Sequence, residues 1–223
     1  MARGASAVSA SGIIKVCGLC REEDVDQALA AGANALGFVH YPPSARHLEV
    51  EQLVDLVQRA RERSDAYTVL VLVDAVPDQV LALADRSGAS HLQLCGAEDP
   101  RDWSADLPSP SLWRRIAVGP GAREEVERWA DLCEAFVLDH PGAPGGTGVE
   151  VDGVMARDLA SLAPCILAGG LDATNVADRI QAVGPMGVDA SSRLEREPGI
   201  KDPAAVSAFT QAARQALTTE GAP

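Results

Sequence analysis

Ile13-Ile14-Lys15-Val16-Cys17-Gly18 is the stretch on which the reading of this chain turns. A short apolar run that ends in Cys-Gly reads as a buried strand stopping where the backbone must turn sharply. Side chains alternate along a strand, so Lys15 and Cys17 share one face. A cationic neighbour lowers a thiol's pKa, and the thiolate is the useful base or nucleophile. Cys17 is therefore a candidate catalytic base. Free cysteine is also commonly a small buried hydrophobe, and taken alone the stretch favours that blander reading. Residues further along the chain reverse that balance.

Outward from this strand, helical spacings and apolar runs alternate. Val25, Ala28, Leu29 and Gly32 recur at helical spacing, and residues 35–39 read as a strand. Leu53, Leu56, Val57 and Ala60 mark a helix, then 67–73 is an apolar run too continuous for a strand with one wet face. Pro77 suits the first position of a helix carrying Val80, Leu81 and Ala84. Residues 91–94 form the next strand, ending at Cys95-Gly96. The segment 99–111 holds three prolines and allows only a helical turn or two. Strands follow at 112–118, 135–139, 165–168 and 186–190, with helices at 123–132, near 152–162 and at 174–183. Asp202-Pro203 signals the start of a closing helix with Val206, Phe209 and Ala213 on one face. Eight strand–helix units in this length point to a single-domain (β/α)₈ barrel over 13–218, close to the minimum size. A doubly wound open sheet is the runner-up, but no G-x-G-x-x-G follows the first strand. Residues 1–12 read as a disordered tail and 219–223 as a short C-terminal one.

Charge and cysteine usage narrow the function. The chain of 223 residues carries a net charge of -13, which argues against nucleic acid or an anionic membrane as partner. It leaves room for a small phosphorylated ligand held by backbone N–H groups. No apolar run is long enough to span a bilayer, and the first residues lack the apolar core of a signal peptide. Five cysteines without a disulfide-like framework fit a reducing cytoplasm. A monomer and a homodimer both fit.

In a (β/α)₈ barrel the active site lies at the carboxyl ends of the strands, with phosphate commonly held after the seventh and eighth. The chemically capable residues fall there. Cys17 ends the first strand, Asp139 the sixth and Gly169-Gly170 the seventh, and Ser191-Ser192 follow the eighth. Asp139 is a helix cap or solvated loop residue in one reading. In the other, desolvation at the rim keeps it protonated as a general acid. Gly145-Gly146-Thr147-Gly148 is a flexible loop or a mobile lid. Gly169 and Gly170 offer unhindered N–H groups to a phosphate, whereas Ser191 and Ser192 also suit a turn. Arg46 is either a solvated arginine or a two-pronged grip on a carboxylate. Cys17-Gly-Leu-Cys20 matches C-x-x-C, but zinc wants a second ligand pair and a redox motif wants a different fold. No metal is expected.

Taken in order, the residues resemble the phosphoribosylanthranilate isomerase family over almost the whole chain. The resemblance is carried by Lys15-Val16-Cys17-Gly18-Leu19, Gly32-Ala33-Asn34-Ala35-Leu36-Gly37-Phe38-Val39, Ser44-Ala45-Arg46 and Gln93-Leu94. It continues with Leu138-Asp139, the 145–148 loop, 167–171, Gly187-Val188-Asp189 and Pro198-Gly199-Ile200-Lys201-Asp202. It implies an Amadori rearrangement, an aldose–ketose isomerisation of tryptophan biosynthesis, with no cofactor. Asp139 matches the general acid that protonates the ribose ring oxygen, and Cys17 the base that takes the C2′ proton. Gly169, Gly170, Ser191 and Ser192 match the phosphate cradle, and Arg46 the residue facing the anthranilate carboxylate. Lys15, Gln93 and Asp189 fall among its substrate-binding positions. Three positions depart from the family pattern: Cys95 replaces an imidazole, Gly153 a tryptophan and Arg193 a glycine. If that glycine used a positive φ, Arg193 is strained by about 1–2 kcal/mol; otherwise it adds a guanidinium to the phosphate site. These departures keep open a related isomerase of another aminated sugar phosphate, and a non-catalytic barrel that binds a phosphorylated ligand.

Overall fold

Strands buried on both faces need a layer on each side, and a computed structural model of the protein, which describes residues 12–103, 110–142 and 151–220, shows both layers. β1 (Ile13–Cys17), β2 (Ala35–His40), β3 (Tyr67–Leu72), β4 (His91–Leu94), β5 (Ser111–Ala117), β6 (Cys133–Asp139), β7 (Cys165–Leu167) and β8 (Gly187–Ala190) pair in chain order. All are parallel, and β8 returns to β1 with Lys15 opposite Asp189, closing the ring. The helices are α1 (Glu22–Ala31), α2 (Val50–Arg63), α3 (Pro77–Ser87), α4 (Ala122–Trp129), α5 (Gly153–Ala160), α6 (Val176–Val183) and α7 (Pro203–Glu220).

Alternation along each strand sorts the core in two. Ile14, Val16, Leu36, Phe38, Leu70 and Leu72 point outward and pack beneath the helices, whose buried stripes include Leu53, Leu56, Val57 and Ala60 of α2. Truncating one such leucine to alanine costs about 2–5 kcal/mol. Ile13, Val69, Trp113, Ala135, Val137 and Ile166 point inward and fill the ring. The inward set turns polar toward the carboxyl ends, where Lys15, Gln93 and Asp189 are buried. Local chemistry sets helix ends: Asp152 accepts from the backbone N–H groups of Val154 and Met155, and Gly88 ends α3 at φ 74°.

The expected boundaries differ from the observed ones by one to three residues at most ends. Between β4 and β5 the described residues hold only a 3₁₀ turn, Pro100–Asp102, where a full helix would complete the eighth unit. An outward arginine of β5 ties the neighbouring elements together. Arg114 of β5 reaches Glu98 at 2.5 Å, the Gly96 carbonyl at 2.8 Å and Glu125 at 3.1 Å, and stacks on Trp129. A two-strand hairpin after β8, formed by β9 (Glu195–Glu197) and β10 (Ile200–Lys201), was not legible as strands. Gly12 is tied down, its carbonyl accepting from Asn34 Nδ2 at 2.8 Å, and α7 runs through Glu220. Residues 1–11 and 221–223 lie outside the described residues.

Candidate active site

The carboxyl ends of the strands surround an open cavity. Cys17, Arg46, Gln93, Asp139, Gly169, Gly170, Asp189, Ser191, Ser192 and Arg193 all line it. Lys15 does not. It lies fully buried beneath, its Nζ 2.8 Å from Asp189 Oδ2, so it reaches a ligand only through its neighbours. The Gly145–Gly148 loop lies outside the described residues.

Cys17 needs room beside Lys15, and Gly37 of β2 supplies it. A Cβ on Gly37 would stand 2.7 Å from Cys17 Sγ, closer than real contacts allow, and a tight 3.1 Å from Lys15 Nζ. The neighbouring ammonium does not lower the Cys17 pKa on balance, contrary to the expectation from sequence. Burial pushes the thiol's pKa up, Lys15 only partly opposes it, and Asp189 adds to the rise. Lys15 itself stays protonated: burial opposes its charge, but the Asp189 carboxylate beside it raises its pKa.

Asp139 is not in an apolar recess. Arg115 Nε donates to its Oδ2 at 3.1 Å and the His140 backbone N–H to its Oδ1 at 2.8 Å. The carboxyl is paired, not alone. Sequence reasoning missed Arg115, although strand alternation carried the signal, since Arg115 shares the inward parity of Trp113. Arg46 also has a partner the sequence did not reveal. Its Nε and Nη2 donate to the two carboxylate oxygens of Glu195 at 2.8 and 2.7 Å, so the two-pronged grip exists but closes on the protein's own side chain.

Gly169, Gly170, Ser191, Ser192 and Arg193 stand together along the cavity. Gly169 and Gly170 adopt φ of 83° and 64°, which present their backbone in a way an L side chain resists. Asn175 braces them, donating to the Gly170 carbonyl at 2.8 Å. Ser191 is committed elsewhere, its hydroxyl donating to the Cys17 carbonyl at 3.0 Å. Ser192 opens a 3₁₀ turn, Ser192–Leu194. Arg193 is not strained: among the described residues only Asp74 combines a side chain with a positive φ. Its Nη1 donates to Asp172 Oδ2 at 3.0 Å, joining the loop after β8 to the loop after β7.

Two acceptors in the cavity wall are unfilled. Gln93 Oε1 and Asp189 Oδ1 are buried without a hydrogen-bond partner among the described residues, while Gln93 Nε2 donates to Cys95 Sγ at 3.5 Å. A buried unpaired acceptor costs about 1–3 kcal/mol, a cost that a hydroxyl-bearing ligand would remove. Cys95 stands in that wall, burial pushing its thiol up to about 12. Cys20 turns away, its Sγ against the Gly18 and Arg46 carbonyls. Among the described residues no cluster of three or more His, Cys, Asp or Glu could hold a metal ion, and no helix is long and apolar enough to cross a membrane.

A closed parallel ring with buried thiol, carboxyl and positive-φ glycines at one mouth defines a single-domain (β/α)₈ barrel enzyme. Comparison with known proteins specifies it. The family model for N-(5'-phosphoribosyl)anthranilate (PRA) isomerase matches residues 14–212. The N-(5'-phosphoribosyl)anthranilate isomerase of Chromohalobacter salexigens is 43% identical over 203 residues, 88% of this chain and 91% of that protein. That of Dechloromonas aromatica is 38% identical over 91% of this chain and 96% of its own. Among solved structures, TrpF from Jonesia denitrificans is 38% identical with a TM-score of 0.74, covering 92% of this chain and 98% of that one. Phosphoribosyl anthranilate isomerase in complex with reduced 1-(o-carboxyphenylamino)-1-deoxyribulose 5-phosphate is 25% identical, with a TM-score of 0.80 over 92% of this chain and 99% of the other. The chain belongs to the N-(5'-phosphoribosyl)anthranilate isomerase family and is an isomerase barrel of that kind.

Proposed function

We propose that this protein converts N-(5'-phosphoribosyl)anthranilate to 1-(2-carboxyphenylamino)-1-deoxyribulose 5-phosphate by general acid–base catalysis. One observation carries the assignment of roles. Cys17 from β1, Asp139 from β6 and the glycines after β7 meet on one cavity, with unfilled acceptors between them. The ligand named for the solved neighbour has the matching parts, a phosphate, a hydroxylated chain and an aryl carboxylate.

In this reading Gly169, Gly170, Ser192 and Arg193 hold the phosphate end. Gln93 Oε1 and Asp189 Oδ1 accept from sugar hydroxyls. Asp139 donates a proton to the ribose ring oxygen, the C1–O bond opens, and a protonated Schiff base forms. Cys17 then takes the proton from C2′, and the resulting enolamine relaxes to the ketone. Arg115 and the His140 N–H aim the Asp139 carboxyl, and Arg115 must share it with the ring oxygen at the moment of transfer. Only protons move, so the chemistry asks for no cofactor. The five free cysteines suit a cytoplasmic enzyme of tryptophan biosynthesis, acting as monomer or homodimer. The net charge of -13 suits a small phosphorylated substrate in place of nucleic acid.

Incubating the purified protein with N-(5'-phosphoribosyl)anthranilate tests the proposal. Conversion to the ketose product supports it; tight binding without conversion supports a binding barrel instead. A second reading, an isomerase of another aminated sugar phosphate, rests on Cys95 in the wall and Arg193 at the phosphate loops, and turnover of the anthranilate substrate removes its motive.

A further inference from the structure

Arg46 offers itself to a ligand while gripping Glu195, and a paired arginine is a poor receptor for a second carboxylate. The surroundings resolve this. Glu195 does not pair with Arg46 alone: Lys201 Nζ, fully buried, stands 2.7 Å from Glu195 Oε1 and donates to the Ser191 carbonyl at 3.2 Å. Two cations thus share one carboxylate. Burial works against the charge of Glu195, yet Arg46 and Lys201 together hold its pKa below the usual range. The guanidinium is also held sterically. Its stem lies against Gly18, where a Cβ would come within 2.5 Å of Arg46 Cδ. Nε and Nη2 are committed to Glu195 along one edge of the guanidinium, which leaves Nη1 without a hydrogen-bond partner among the described residues, on a side chain that lines the cavity.

We propose that Glu195 and Lys201 are positioning residues that make Arg46 a receptor for the aryl carboxylate of the substrate: Glu195 fixes the guanidinium, and Lys201 cancels the charge of Glu195 so that the trio keeps a net positive charge. This rests on the isomerase reading and adds how the carboxylate is selected. Without Lys201, Arg46 and Glu195 would form a neutral pair, indifferent to a ligand anion. With it, the trio presents one unbalanced positive charge at the mouth.

The test is a specificity ratio. N-(5'-phosphoribosyl)anthranilate and N-(5'-phosphoribosyl)aniline differ only in the carboxylate, so damage transmitted through Ser191 to the phosphate end affects both and cancels in the ratio of their kcat/KM values. Lys201→Gln keeps amide donors for Glu195 and Ser191 but removes the charge, and the ratio favouring the anthranilate substrate should fall on the order of tenfold, mainly through its KM. Glu195→Gln keeps the side chain's shape and an oxygen acceptor beside Arg46 while it adds net positive charge, so the ratio should shift the opposite way, which general loss of structure would not do. It also decides the matter if Lys201→Gln fails to fold. A ratio unmoved in the variants, or moved in the same direction by both, overturns the proposal. A wild-type protein that converts neither substrate overturns the isomerase reading, and this inference with it.

Discussion

Lys15 and Asp189 face each other across the seam where the barrel closes, with Nζ 2.8 Å from Oδ2, as register partners on β1 and β8. A buried ion pair is a weak device for stability, because desolvating two charges offsets most of their attraction. Its placement instead fixes an ammonium beside the Cys17 thiol. Lys15→Met should leave a buried carboxylate without its partner and lower the unfolding free energy by about 3–5 kcal/mol in a denaturant titration. The double variant Lys15→Met/Asp189→Leu should lose less. A double variant that loses more than the single one would show that the pair does contribute net stability.

Cys17 serves as a base only when unprotonated, and burial raises its pKa in the free protein. With the pKa raised, the active fraction is small at neutral pH and grows about tenfold per pH unit below that pKa. In a pH series, kcat/KM should climb through the neutral range and level only above the ordinary thiol value of about 8.5. A profile already flat at pH 7 would contradict the assignment of Cys17 as the free base.

Removing either proton-transfer group should be severe. Cys17→Ala and Asp139→Asn should each reduce turnover of the anthranilate substrate by at least ~10²–10⁴-fold, with circular dichroism unchanged. A folded variant with near-normal turnover would displace that residue from its role.

Arg193→Gly restores the residue the family pattern has at this position. Since Arg193 occupies no left-handed backbone, the glycine relieves no strain. It removes the bridge to Asp172 and a cation from the phosphate end. We expect KM to rise several-fold with kcat little changed, and a melting temperature that does not increase.

At the opposite end of the ring, His91 Nε2 lies 3.2 Å from Glu134 Oε2. Hydrogen bonding to His91 outweighs burial and depresses the Glu134 pKa. A depressed carboxylate contributes stability above its unfolded value of about 4.3 and loses it as pH falls through the lower folded value. Wild type should therefore exceed Glu134→Gln in melting temperature near neutral pH, with the gap closing as the solution is acidified below about pH 4.

The ring was legible because its signals are local. Apolar runs such as 67–72 and helical stripes such as Leu53–Val57 each speak for a few neighbouring residues. So was the placement of Cys17, Asp139 and Gly169 on one mouth, which is a consequence of strands that are parallel and closed. What the sequence did not disclose is pairing across distance. Nothing near Arg46 announces Glu195, 149 residues later. Nothing near Cys17 says that Gly37 clears its space, or that desolvation outweighs Lys15. The lack of a full helix between β4 and β5 among the described residues was half visible in the prolines there, but the Arg114 cluster draws on Glu98, Glu125 and Trp129 from separate elements.

The most direct measurement is a crystal structure of this protein with reduced 1-(2-carboxyphenylamino)-1-deoxyribulose 5-phosphate bound. We expect Cys17 Sγ against the sugar's C2′ on one side, the Asp139 carboxyl within about 2.6–3.2 Å of the former ring oxygen on the other, and the phosphate at Gly169 and Gly170. A ligand seated in the cavity with Cys17 turned away from the sugar, or with Asp139 still engaged only by Arg115 and the His140 N–H, would contradict the roles assigned to the two groups.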